Sequence, residues 1–216
     1  MKKIQFAIIG SPISHSLSPI MHNYWFKKYN INAEYKSLNI NKNEIKNVIN
    51  KIKNKEIKGI NVTLPYKQSV IPFLSRTIND ANETHSVNTI MLDDGGNLIG
   101  ENTDVFGFQA AYLKSIPNQE KKNKHILILG AGGVAPSIIL ALLKSNITNI
   151  SLTNRTHEKS LFIKKNFKNI RVLNWDDFSK IINKFDVIIN ATSLGLNSSD
   201  DFKKDFSNFK KDMIYI

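Results

Sequence analysis

The stretch "ILILGAGGVAPSIILALL", residues 126–143, decides the fold. It opens on four β-favouring apolar residues, crosses a turn holding Gly130, Gly132 and Gly133, and runs on as an uncharged apolar segment with Pro136 near its start. Its length approaches that of a bilayer span. Three glycines and a proline in the middle argue against one continuous helix, so a strand, a glycine-rich turn and a helix explain it better. Gly130, Gly132 and Ala135 then give the G-x-G-x-x-[GA] spacing in the context that gives it meaning, after a strand and at a helix start. The first glycine permits the tight turn. The second lets a pyrophosphate approach the backbone at the positive end of the helix. Pro136 fits the first helical turn, where it removes no needed donor. A glycine-rich turn with no ligand is the competing reading.

Downstream of this stretch the pattern is a strict alternation. Strand-like "NISLTN", "NIRVLN" and "FDVIINAT" are separated by helix-like segments and followed by a last strand-like "DMIYI", which predicts a parallel sheet and a doubly wound nucleotide-binding domain. The second strand of that domain ends in Asn154-Arg155-Thr156. An NAD-binding domain usually carries an acidic residue there to accept from the ribose 2′-hydroxyl. Arg155 instead offers a planar, permanent cation that clasps a 2′-phosphate, Thr156 adds a hydroxyl, and Lys159 is close in sequence, so the spacing favours NADP over NAD. "INATSLG", residues 189–195, follows another strand, and its Thr192 and Ser193 are candidates to line the ligand crevice.

Upstream, "SIPNQEKKNK", residues 115–124, is polar and holds a proline, and reads as the linker between a first domain over 1–114 and a second over 115–216. The first domain mixes patterns. "IQFAIIG", "AEYKSLNI" and "IKGINVTLP" read as strands, and "KNEIKNVINKIKN" carries Ile45, Val48, Ile49 and Ile52 at helical spacing. Ser18-Pro19 reads as an N-cap and N1 pair opening a helix over 19–29. "YKQSVIPFL" predicts a short helix after Pro65. "SVNTIMLDDGGNLIGENTD" predicts a hairpin turning at Asp94-Gly95-Gly96, and Thr103 or Asp104 opens the helix that follows.

The bulk numbers narrow the function. The chain has 216 residues, 41% hydrophobic and 22% charged, as expected of a globular protein able to bury a core. It has no cysteine, which excludes disulfides and thiol chemistry and is compatible with the cytoplasm. The net charge is +12, but the lysines are scattered among asparagines and isoleucines without a dense block. That scatter argues against a nucleic-acid footprint, while a basic surface still steers anionic metabolites. The apolar run in "MKKIQFAIIGSP" is too short for a signal peptide and reads as the first strand.

Candidate chemistry sits in two places in the first half. In "NVTLPYK", Asn61 and Thr63 lie two apart on a strand and share a face. Lys67 follows at an expected helix start, whose positive end favours a neutral amine, whereas a nearby carboxylate favours the charged form. "ENTD" supplies such a carboxylate, Asp104, which only the fold can bring to Lys67. The hydroxyl-rich "GSPISHSLSP", residues 10–19, is open to three readings: a strand-to-helix turn, a nucleophile site or a small-molecule contact. No base-and-acid triad surrounds it, which disfavours the nucleophile.

Together "GSPISHSLSP", "NVTLPYK", "SVNT", "NTD", "GAGG", "NRT", "INATS" and "DMIY" resemble, in order and over nearly the whole chain, the shikimate dehydrogenase family. The resemblance implies an α/β protein: an N-terminal substrate domain with a mostly parallel sheet, then a C-terminal Rossmann-like doubly wound NADP-binding domain. It implies reversible, NADPH-dependent reduction of 3-dehydroshikimate to shikimate, on the way to chorismate and the aromatic amino acids. Lys67 and Asp104 are then the catalytic pair. Ser14 and Ser16 bind the substrate carboxylate, and Asn61, Thr63 and Asn88 hold ring hydroxyls or shape the pocket. Tyr215 closes the pocket from the cofactor side, and Met213 lies near the nicotinamide. The cofactor-binding set is Gly130, Ala131, Gly132, Gly133, Val134, Ala135, Asn154, Arg155, Thr156, Lys159, Thr192 and Met213. A cytoplasmic monomer or homodimer acting on a small molecule follows, with no metal, membrane or nucleic acid.

Two departures from the family pattern stand out. His85-Ser86 occupies the place usually written Gly-Ala, so packing beside Asn88 is expected to differ. The chain also stops at Ile216, where the family continues with a glycine-rich stretch and a glutamine-bearing helix that contacts substrate and packs back on the first domain; either a fragment or replacement of that part by another chain is expected, with lowered stability and substrate affinity. The alternatives are a quinate/shikimate dehydrogenase, a truncated non-catalytic relative that keeps its ligand sites, and a basic nucleic-acid-binding protein.

Overall fold

The computed structural model describes residues 2–113, 123–194 and 213–215. It divides into two compact units, residues 1–103 and 104–216. The division falls before the helix at Asp104 because Val105 and Leu113 are buried in the second unit's core. Most of the expected linker at 115–124, and Gly195 at the end of "INATSLG", lie outside the described residues.

The first unit is built on six strands: β1 (Ile4–Gly10), β2 (Ala33–Asn39), β3 (Gly59–Val62), β4 (Arg76–Thr77), β5 (Thr89–Leu92) and β6 (Leu98–Glu101). Their order is β2-β1-β3-β5-β6-β4. β1 pairs in parallel with β2 and β3, β4 with β6, and only the ladders involving β5 are antiparallel. The mixed pattern follows from the connections. The β1–β2 link contains α1 (Ser18–Lys28) and the β2–β3 link α2 (Ile45–Lys53), while β5 and β6 are joined by the tight turn at Asp93–Asn97. That turn matches the hairpin reading, with Gly96 at φ +79°. The predicted stripe on α2 is buried throughout, with Ile45, Val48, Ile49 and Ile52 each at most 5% exposed and packed under the sheet with Ile9, Ile60 and Ile90. A short helix, α3 (Asp80–Thr84), ends at His85, whose left-handed φ of 48° serves the turn into β5.

Two local expectations need correction. Ser18 does not cap α1: it is the first helical residue, and its N–H donates instead to the Ser16 hydroxyl at 3.3 Å. Nor does a helix start at Lys67. Residues 67–70 form a turn that leads into one 3₁₀ turn at Ile71–Phe73, because Pro72 interrupts the backbone ladder. Lys67 therefore stands on a turn and not at a helix N-terminus.

The second unit is a five-stranded parallel sheet ordered β11-β10-β7-β8-β9, from β7 (Ile126–Leu129), β8 (Ile150–Thr153), β9 (Arg171–Leu173), β10 (Val187–Asn190) and β11 (Ile214–Tyr215). Its helices are α4 (Asp104–Phe108, continued as a wider turn over Gln109–Leu113), α5 (Ala135–Lys144), α6 (His157–Asn166) and α7 (Phe178–Ile181). Separate apolar clusters cover the two faces. One gathers α4, α5 and α6 around Ile126, Ile128 and Leu152, and the other gathers Ile182 and Phe185 around Leu127, Leu129 and Ile188. A sheet buried on both sides explains why its strands read as continuous apolar runs rather than alternating ones. α5 is buried all round because α4 lies on its outer face, where the Gln109 amide donates to the Ala141 carbonyl at 3.3 Å. Among the described residues no helix is long and apolar enough to cross a membrane.

Candidate active site

In an open α/β sheet, ligands gather at the carboxyl ends of strands where the strand order reverses. Each unit has such a point. In the second it lies between β7, continued on one side by β8, and β10 on the other. The glycine-rich turn leaves β7 there, and Ala191-Thr192 leaves β10. Gly130 has φ +105°, and a Cβ on it would stand 2.8 Å from Thr192 Cγ2 and 2.9 Å from the Ala191 carbonyl carbon and oxygen. Only glycine fits. Gly132 differs: the nearest atom to a Cβ there is the Ala191 oxygen, 3.9 Å away. The first glycine is thus required by the protein itself, and the second faces open space, as a cradle for a pyrophosphate requires.

Asn154 ties this turn to the end of β8. Its Oδ1 accepts from Ala131 N–H at 3.1 Å, and its Nδ2 donates to the Thr156 carbonyl at 2.8 Å. It is a strut that sets the Gly130–Val134 turn against the Asn154–Thr156 loop. Arg155, Thr156 and Lys159 are exposed, and among the described residues neither cation is held in an ion pair. Thr156 stands at the N-cap of α6 without using its side chain as a cap. Thr192, by contrast, spends its hydroxyl within its own loop, donating to Asn190 Oδ1 at 2.7 Å and accepting from Leu194 N–H at 3.0 Å. Its methyl is what packs on Gly130. Ser193 beside it is exposed. Met213 packs against the Leu127–Phe185 cluster. Tyr215, on β11, is half exposed; burial raises its phenol from the ordinary range against an opposing Asn190 hydrogen bond.

In the first unit β1 is flanked by β2 and β3, and the chain leaves β1 and β3 through two turns that lie side by side. Ser11 N–H donates to the Leu64 carbonyl at 3.0 Å, and Thr63 N–H to the Ile9 carbonyl at 2.9 Å. A Cβ on Gly10 would stand 2.6 Å from Thr63 Cγ2, so glycine lets the "GSPISHS" and "NVTLPYK" segments close together. Ser14 is exposed and Ser16 half-buried, the latter partly engaged by Ser18. Lys67 is half-buried, and its carbonyl accepts from Val87 N–H at 2.9 Å, which anchors it beside Asn88.

Asn88 is 9% exposed, and its side chain holds Thr103, accepting from its N–H and donating to its hydroxyl, both at 3.0 Å. Asn61 donates to the Asn88 carbonyl at 3.2 Å and to Thr89 Oγ1 at 3.1 Å. Asn102, 3% exposed, donates to Thr84 Oγ1 and to the backbone carbonyl of buried Ser86. The structure therefore brings Asn61, Thr63, Lys67 and Asn88 together with the serine loop, and these amides serve each other as much as any ligand. Asp104 is the first residue of α4, directly after Thr103, and opens the second unit. Two participants escape a sequence reading. Thr103 was legible only as a helix start, and Tyr35, whose hydroxyl donates to Asn61 Oδ1 at 2.6 Å, only as a strand residue. Nothing in local spacing links positions 26 residues apart.

Comparison with known proteins identifies the family and the fold. A family model described as the shikimate dehydrogenase substrate binding domain matches residues 8–90, and one described as shikimate / quinate 5-dehydrogenase matches residues 113–198. The shikimate dehydrogenase (NADP(+)) of Pelagibacter ubique is 45% identical over 215 residues, 100% of this chain and 78% of that protein. That of Aquifex aeolicus is 37% identical over 211 residues, covering 98% of this chain and 76% of that protein. The crystal structure of the Aquifex aeolicus shikimate dehydrogenase superposes with a TM-score of 0.89 at 36% identity, covering 99% of this chain and 77% of that one. The Thermus thermophilus shikimate 5-dehydrogenase in complex with NADP(H) and shikimate gives 0.83 at 25% identity, covering 98% and 77%. In sequence, in fold and in the placement of its motifs, the chain belongs to the shikimate dehydrogenase family.

Proposed function

We propose that the chain is an NADP-dependent shikimate dehydrogenase, reversibly interconverting 3-dehydroshikimate and shikimate on the route to chorismate and the aromatic amino acids. The observation that carries this reading is that the serine loop and the Lys67 turn leave β1 and β3, and the glycine-rich turn and Ala191-Thr192 leave β7 and β10, each pair at a switch in strand order. The residues fit the cofactor: Gly132 faces open space, Gly130 admits no side chain, and Arg155 with Lys159 offers exposed cations, held in no ion pair among the described residues, for a 2′-phosphate, which supports NADP over NAD. When bound, NADPH supplies the hydride.

The chain's own residues do the rest. Ser14 and Ser16 take the substrate carboxylate, and Thr63 and Asn88 orient ring hydroxyls that single, neutral donors can address one at a time. Lys67 gives a proton from Nζ to the carbonyl oxygen as it becomes an alkoxide, and takes it back in the reverse direction. Asp104 hydrogen-bonds the substrate hydroxyl. The work is that of a cytoplasmic enzyme, monomer or homodimer, divided between a substrate domain and a cofactor domain.

The test is NADPH formation with shikimate by the chain and by Lys67→Ala. Turnover should fall by about 10²- to 10⁴-fold in the variant, with NADP+ binding by fluorescence titration little changed. Equal rates would remove Lys67 from the mechanism. Running quinate beside shikimate, and NAD beside NADP, identifies the preferred pair; faster oxidation of quinate would make the chain a quinate/shikimate dehydrogenase.

A further inference from the structure

A run of polar side chains in the first unit has hydrogen-bond directions that the backbone fixes. The Asn88 carbonyl can only accept, so the group facing it at 3.2 Å is the Asn61 side-chain nitrogen. Asn61 Oδ1 therefore faces Tyr35, whose hydroxyl donates to it at 2.6 Å. The second Asn61 N–H goes to Thr89 Oγ1 at 3.1 Å, which leaves the Thr89 proton to donate to Asn88 Oδ1 at 3.0 Å. Asn88 Oδ1 also accepts from the Thr103 backbone, so its nitrogen faces the Thr103 hydroxyl at 3.0 Å. Tyr35, Asn61, Thr89, Asn88 and Thr103 thus form one directed chain that begins at the Tyr35 proton. Such chains strengthen each member and lose more than one bond when an end donor is removed.

Tyr35 is built to be that donor. It is 4% exposed, its ring stacks on His22 at 4.3 Å, and its backbone N–H and carbonyl are both bonded to the Asn23 side chain at 2.9 Å. Burial raises its phenol well above the ordinary range, so the proton stays on the oxygen. We infer that Tyr35 is a positioning residue for the proposed reaction: through Asn61, its hydroxyl fixes the Asn88 amide that orients the substrate. The inference rests on the substrate role given to Asn88 above. Without the hydroxyl, half-buried Asn61 Oδ1 is left unpaired, and the side chain relieves this by turning toward water, releasing Thr89 and the Asn88 carbonyl.

Tyr35→Phe removes only the hydroxyl and keeps the ring and the bonds to Asn23. Its kcat/KM for shikimate should fall about tenfold, with the NADP+ KM unchanged and the melting temperature lower by a few degrees, as the loss of one buried hydrogen bond costs. Asn61→Ala should lose at least as much, and adding Tyr35→Phe to it should cost nothing further, because the effect passes through Asn61. A wild-type kcat/KM in Tyr35→Phe, or a full additional loss in the double variant, would overturn the inference while leaving the proposed function standing. An unaltered chain that forms no NADPH from shikimate would overturn both.

Discussion

Gly130 and Gly132 look alike in the sequence, yet the structure gives them opposite burdens. Alanine at 130 must adopt a φ of +105° and press its Cβ into Thr192 and the Ala191 backbone, which cannot retreat without breaking the β10 turn. We expect Gly130→Ala to lower stability by about 2–4 kcal/mol, from backbone strain and overpacking together. Alanine at 132 meets only the Ala191 oxygen at ordinary contact distance, so the fold should be unaffected. It should instead raise the NADP+ KM by about tenfold or more, since its methyl enters the space proposed for the pyrophosphate. Denaturant melts paired with NADP+ titrations check both halves. If Gly132→Ala melted early and bound NADP+ normally, Gly132 would serve the turn and not the cofactor.

At the scale of the element, α1 has no fully buried residue, and His22 is one of the side chains that hold it against β2. Its imidazole stacks on Tyr35 and leans on Phe26, and burial there holds its pKa below the ordinary 6.5. In the unfolded chain His22 takes up a proton near its ordinary value, whereas the folded chain leaves it neutral to lower pH. Its contribution is therefore complete above the unfolded pKa and shrinks as pH falls through it toward the lowered folded value. The melting temperature of the chain should drop more between pH 7 and pH 5 than that of His22→Gln, by about one or two degrees given the site's partial exposure. Parallel slopes would show that His22 titrates as if in water.

The same helix marks how far the sequence could be read. Elements with strong periodicity were legible: the α2 stripe, the β5–β6 hairpin, and the alternation from β7 to β10. The glycine-rich turn could be placed because strand and helix flank it. The start of α1 and the turn after Pro65 could not, because serine caps and short helices depend on which carbonyls and hydroxyls the fold leaves nearby; Ser16 outcompetes Ser18, and Pro72 ends what Lys67 was expected to begin. Residue types in the candidate site were legible from ordered motifs, but their mutual bonds were not. That Asn61, Asn88 and Thr103 satisfy one another, and that Thr192 keeps its hydroxyl for its own loop, are tertiary facts.

The whole molecule carries a net charge of +12 without a basic block, and the ligands proposed for it are anions. A diffuse positive field of this kind raises the encounter rate for a carboxylate or a phosphate without contributing a specific contact. Its reach shrinks with salt, from about 20 Å or more in dilute buffer to under 10 Å at physiological strength. Raising salt from about 20 mM to about 300 mM should therefore lower kcat/KM for shikimate and for NADP+ several-fold, through higher KM and with kcat at saturation nearly constant. NADP+ should respond more steeply than shikimate, because it carries more charge and because Arg155 and Lys159 stand exposed at its expected 2′-phosphate. If both substrates gave flat profiles while the chain bound duplex DNA with a steep salt dependence, the charge would belong to a nucleic-acid surface. If kcat fell as sharply as kcat/KM, salt would be acting on the bound complex rather than on the encounter, and the field would have no part in substrate capture.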